Sequence, residues 1–105
     1  MKSDPAYIDF LIRCAKYFGN TPETQVIKIM EEGGEVAQAW IGFTGTNPRK
    51  GVTHRAVDVA DEMADVAMSA LLGIVMLGFD PFDAMNKQQV KAEGRLRDAS
   101  THVSG

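Results

Sequence analysis

Apolar positions along this chain recur at helical intervals and nowhere settle into the strict alternation of a strand. Three times a capping residue is followed by proline, at Asp4-Pro5, Thr21-Pro22 and Asp80-Pro81. Proline suits the first helical position because the N–H that it lacks would have no partner there anyway. The pattern predicts a first helix from Pro5 to Phe18, stopped by Gly19-Asn20, residues that readily take the left-handed conformation ending a helix. A second helix is predicted from Pro22 to about Ile41, followed by a loop, GFTGTNPRKGVT, marked by its three glycines and its Asn-Pro step. The third should begin near Thr53 or His54 and run to Leu77, roughly 37 Å at 1.5 Å per residue. The fourth should start at Pro81 and fade into the charged stretch KAEGRLRDAS, where Gly94 weakens it. No internal repeat is visible. The expected fold is all-α, a single domain over residues 1–105 built as a four-helix bundle.

The most apolar segment, AMSALLGIVML at 67–77, is apolar on nearly every side. Four short helices from one chain hardly surround it, so the bundle is expected to be completed by a second copy, as a homodimer or a homotetramer. The run falls short of the roughly 20 residues that span a bilayer, so no membrane partner is expected. At the N-terminus, Asp4, Pro5 and Asp9 stand where a signal peptide would need an apolar segment. Cys14 is the only cysteine; it excludes an intrachain disulfide, fits a reducing cytoplasm and, set in an apolar run, reads as a core residue.

Composition changes the picture little: 45% hydrophobic and 24% charged residues describe an ordinary globular chain. Charge matters more. A net charge of −3 supplies no basic field to recruit a nucleic acid polymer, so a polyanionic ligand must be met locally or through a metal.

That acidity is concentrated in two places. In KIMEEGGEVAQAWIG, with Glu31 set at zero, Glu32 lies near 100° and Glu35 near 40° around the helix, so one patch holds three carboxylates. In DVADEMAD, with Asp58 at zero, Asp61, Glu62 and Asp65 fall within another arc of about 100°. A solvated face usually interleaves such acids with lysine or arginine, and neither stripe does. Like charges at these spacings repel by a few tenths of a kcal/mol per pair, roughly, unless a cation sits among them. Oxygen ligands in this number suit Mg²⁺, with Mn²⁺ a possible substitute, and Mg²⁺ is typically shared between carboxylates and the phosphates of a substrate. Zinc would call for more Cys and His, and a di-iron bundle for Glu-x-x-His pairs, which are missing.

Glu32-x-x-Glu35 followed at a distance by Glu62-x-x-Asp65 resembles the MazG-like family of all-α nucleoside triphosphate pyrophosphohydrolases, whose hallmark is E-x-x-E, a spacer, then E-x-x-D. The resemblance runs from about Thr21 to Val75 and includes the TGTNPRKGVTH connection. It implies Mg²⁺-dependent cleavage of a nucleoside triphosphate to the monophosphate and pyrophosphate, with Glu32, Glu35, Glu62 and Asp65 as metal ligands. Glu31 matches an extra glutamate that would orient or deprotonate the attacking water. Lys28, one turn earlier, would bind phosphate or pair with Glu31 or Glu32. Asp61 and Asp58 are further acids of the second stripe, Asp58 also suiting a helix start. For substrate contacts the chain offers Asn86, Lys87, Lys91 and Arg95, the loop residues Arg49 and Lys50, and Trp40 as the aromatic nearest the acids, with Phe43 beside it. His54 is expected at the start of the third helix without a catalytic role. Gly33 and Gly34, adjacent in mid-helix, suggest close helix packing; the family more often has a larger apolar residue at the first of them. Two other readings fit the same residues: a non-catalytic bundle that binds nucleotides or a protein partner, and a carboxylate bundle that binds metal.

Overall fold

The computed structural model describes residues 1–104, with side-chain surroundings through residue 100. Four helices follow one another, α1 (Pro5–Phe18), α2 (Pro22–Thr44), α3 (Ala56–Met76) and α4 (Pro81–Ser104), and the described residues contain no strand. The starts are made as the cap-proline pairs require. Asp4 Oδ1 accepts from the backbone N–H groups of Ala6 and Tyr7 at 3.1 and 3.2 Å. Thr21 and Thr24 exchange side-chain and backbone hydrogen bonds at the head of α2. Asp80 Oδ1 accepts from Phe82 N–H at 2.8 Å. Gly19 and Gly45, with φ of 65° and 67°, close α1 and α2 in the left-handed conformation that costs other residues strain.

Three boundaries differ from the expected ones, each for a local reason. α2 continues past Ile41 to Thr44, because Gly42 does not break it. Instead the bare Gly42 lets the following loop lie against the helix: the backbone N–H groups of Thr53 and His54 both donate to the Gly42 carbonyl, at 2.8 and 3.3 Å. Held there, residues 53 and 54 stay outside α3, which begins at Ala56. α4 runs through Gly94 without interruption.

Packing is uneven. α2 lies along α3 and forms the main contact, α1 rests on α3, and α4 touches α3 in a smaller contact after the chain axis turns by 116°. Leu11, Ala39, Val59 and Leu72 form the buried apolar core, and Cys14 is only half-buried beside it. The radius of gyration is 17.7 Å, whereas a compact domain of this length has about 13 Å. One chain therefore does not close a four-helix bundle on its own. Large apolar side chains are left open to solvent, among them Met30 at 76% and Leu96 at 68% exposure. Among the described residues no single helix is long and apolar enough to cross a membrane; only α3 and α4 together meet that test, across their bend.

Candidate active site between α2 and α3

A chain of polar groups threads the interior of the α2–α3 seam. Gln25 is fully buried at 0% exposure; its Oε1 accepts from Asn20 Nδ2 at 2.9 Å and its Nε2 donates to the Ser69 carbonyl at 3.0 Å. Ser69 Oγ in turn donates to Glu32 Oε2 at 2.6 Å. A buried amide is tolerated only when its donors and acceptors are matched, and Gln25 meets that condition on both sides. The consequence reaches the surface: Glu32 receives a hydrogen bond to a charged acceptor from a side chain on the facing helix, which holds its carboxylate in one orientation.

Around that anchor the other acids gather. Glu32 and Asp65 line the same cavity of about 160 Å³, together with Lys28, Asn20 and Phe18. Glu62 is half-exposed as a residue, yet its Oε2 is shielded from solvent and has no hydrogen-bond partner. Its pKa is raised above the ordinary 4.5, first by loss of hydration, then by the charges of Glu35, Asp65 and Glu32. Glu35 and Asp65 stand at the solvent edge of the seam. One carboxylate from α3 thus senses both members of the α2 pair and its own neighbour one turn along.

The donor chemistry of these four side chains fits a hard divalent cation, since an oxygen atom without a partner and three negative charges around it lack only the positive charge. Among the described residues, however, no three His, Cys, Asp or Glu side chains are drawn together tightly enough to enclose an ion. The acids face one another across the seam without converging on a point.

The remaining candidates are scattered. Glu31 and Asp61 are exposed and join no ion pair among the described residues. Asp58 is the helix-start acid: its Oδ2 accepts from Arg55 N–H at 2.7 Å, its Oδ1 lies 3.6 Å from Arg55 Nη2, and these contacts hold its pKa below the ordinary 3.8, the backbone bond first. Lys28 pairs with neither Glu31 nor Glu32; its ammonium sits over the Phe18 ring, 5.7 Å from the centroid. Trp40 is 54% exposed and tilts against Phe43 at 5.6 Å, away from the acids' cavity. Asn86 donates to the Met1 carbonyl at 2.9 Å, and both it and Lys87 line a separate cavity between the end of α3 and α4. Within one chain they do not reach the seam's cavity. His54 is set in a third cavity, near the loop.

Ser69, Gln25 and Asn20 are the site residues that sequence reasoning missed. Only a polar serine inside the apolar run 67–77 and a glutamine in the first turns of α2 hinted at them, and spacing cannot pair residues 44 positions apart.

Comparison of the chain with protein-family models, curated proteins and solved structures gave no match.

Proposed function

We propose that this chain is a Mg²⁺-dependent nucleoside triphosphate pyrophosphohydrolase of the MazG-like kind, working at the α2–α3 seam. The observation that supports it best is Glu62, whose Oε2 is shielded from solvent beside Glu32, Glu35 and Asp65, where its charge is uncomfortable without a cation. Solvated surface acids would drift apart. Glu32, Glu35, Glu62 and Asp65 would hold the ion, and Ser69 would keep Glu32 turned toward it. A divalent cation there supplies the charge neutralisation that a triphosphate needs before water can approach it.

In the reaction, a water oxygen bonds to the α-phosphorus while the bond from that phosphorus to the α–β bridging oxygen breaks. Pyrophosphate leaves with the electron pair, and the proton of the water passes to a carboxylate. Glu31 is the acid suited to that role, being next to Glu32 and open to solvent. Lys28, beside Glu32 and Asp65 in one cavity, gives the nucleotide a cationic contact.

A second copy of the chain completes the assembly in this reading. The side of α2 turned away from α3 carries Val26, Ile27, Met30, Trp40 and Ile41, all exposed, and no charged residue between Val26 and Ile41 falls among them. In the middle stand Gly33 and Gly34, where an added Cβ would meet nothing within 4 Å. Packing inside one chain therefore does not account for them. Close approach of a second helix does.

The test is release of pyrophosphate and nucleoside monophosphate from a panel of nucleoside triphosphates, with and without Mg²⁺. Turnover that requires the metal supports the reading. Binding of nucleotides without turnover of any of them removes it.

A further inference from the structure

Beside the acidic seam lies a cavity of opposite character. It measures about 330 Å³ and is lined by Gln38, Asn47, Lys50 and His54, with Gly42 at its floor; no carboxylate lines it. Its walls are built rather than incidental. The loop is pinned to α2 through the Gly42 carbonyl, and it turns on Asn47, whose side-chain Oδ1 accepts from Arg49 N–H at 3.0 Å and whose carbonyl accepts from Gly51 N–H at 3.0 Å. The cavity depends on glycine at 42, since a Cβ there would overlap His54 Nδ1 and Thr53 Oγ1. The positive end of α3 is not what the cavity offers, because Asp58 already occupies the Arg55 N–H. What remains is a lysine ammonium, two amides, the Ile41 side chain and an imidazole whose Nδ1 already shares a hydrogen bond with Thr53 Oγ1 at 2.9 Å.

Position along the helix links this cavity to the acids. Gln38 follows Glu35 by one turn on α2, an axial rise of about 4.5 Å, and Gly42 lies about 10.5 Å beyond Glu35. The cavity thus lies further along α2 than Glu35, within the length of an extended polyphosphate chain. The acids' own cavity, which Glu32 and Asp65 line with Lys28, also carries Phe18, Cys14, Met68 and Leu72, apolar side chains that suit a nucleoside.

We infer that the Lys50 cavity seats the pyrophosphate end of the substrate, the two phosphoryl groups that leave together, with Lys50 as the cationic contact and His54, Gln38 and Asn47 as hydrogen-bonding partners. The inference rests on the proposed pyrophosphohydrolase reading for its place in a reaction, but the anion site is testable by itself. A doubly phosphorylated, strongly anionic group matches a lysine beside neutral donors, and it needs no carboxylate nearby to repel it.

The experiment is titration of the full chain with inorganic pyrophosphate, read by calorimetry and by amide shifts in labelled protein, for wild type, Lys50→Gln and Lys50→Arg. Lys50 is exposed in a loop, so its replacement leaves the helices intact. Expected are shifts centred on 47–54, a loss of about tenfold or more in affinity for Lys50→Gln, and retention of most affinity in Lys50→Arg. Unchanged affinity in Lys50→Gln, or shifts centred on the α3–α4 cavity, overturns the inference while leaving the pyrophosphohydrolase reading intact. Pyrophosphate bound at Lys50 by a chain that turns over no triphosphate does the reverse: the anion site stands and the enzymatic reading falls.

Discussion

The two sides of α2 are unlike, and each shows what the other lacks. Toward α3 the helix carries Gln25, Glu32 and Ala39, set into hydrogen bonds and apolar contacts that one chain supplies in full, with Glu35 at the rim. Away from α3 it carries Met30, Gly33, Gly34 and Ile41, apolar or bare, with Met30 largely open to solvent and nothing within 4 Å of a Cβ added at either glycine. Burying polar groups demands exact partners, so the inner side is specified residue by residue. Burying apolar ones demands only cover, so the outer side is specified as a surface. On the proposed reading, chemistry would belong to the first side and assembly to the second.

Substitutions can separate the two sides. The largest effect belongs to the inner acids: Glu35→Gln and Asp65→Asn should each lower triphosphate turnover by about 100-fold or more, since even residues behind a metal ligand cost 10- to 100-fold. Both variants should keep the wild-type mass in sedimentation. Met30→Glu tests the outer side. It should reduce the mass of the assembly to that of a smaller species, because a charge placed in a closed apolar contact has no partner. If that variant sediments as wild type does, the outer side is not the contact between copies.

Ser69→Ala comes next. Loss of its hydrogen bond frees Glu32 and should raise the Mg²⁺ concentration needed for half-maximal turnover by about tenfold, with little change at saturating metal. A drop in turnover that metal does not rescue would make Ser69 a packing residue only. The smallest effect is a pH dependence at Asp58. Because its folded pKa lies below the ordinary 3.8, its stabilisation is present above that value and is lost as pH falls through the lowered one. Asp58→Ala should therefore melt below wild type at neutral pH, and the two melting curves should draw together in strong acid. A constant difference at every pH would show that the cap at Arg55 is not its source.

Local signals were legible in the sequence, and distant ones were not. Asp4, Thr21 and Asp80 act within three residues of themselves, so the helix starts at Pro5, Pro22 and Pro81 could be read without knowing anything about the rest of the chain. The acidic pairs on α2 and α3 were visible for the same reason, as a matter of spacing on single helices. The start of α3 was misjudged because Thr53 and His54 spend their N–H groups on Gly42, eleven and twelve positions earlier. Gln25 and Ser69 escaped notice because each is an ordinary polar residue until the two helices meet. Asn86 and Lys87 were offered as phosphate contacts by the resemblance, whose members use basic and amide groups late in the chain, but after the 116° turn before α4 they line another cavity.

The central claim is that a divalent ion belongs between α2 and α3. Paramagnetic broadening by Mn²⁺, followed residue by residue in labelled protein, tests it most directly. The account predicts broadening centred on residues 32–35 and 62–65 at the lowest metal concentrations, abolished there by Glu35→Gln. Broadening that appears first at other acids, such as Asp80 and Asp83 or Asp98, or that spreads evenly over the acidic surface, would contradict it.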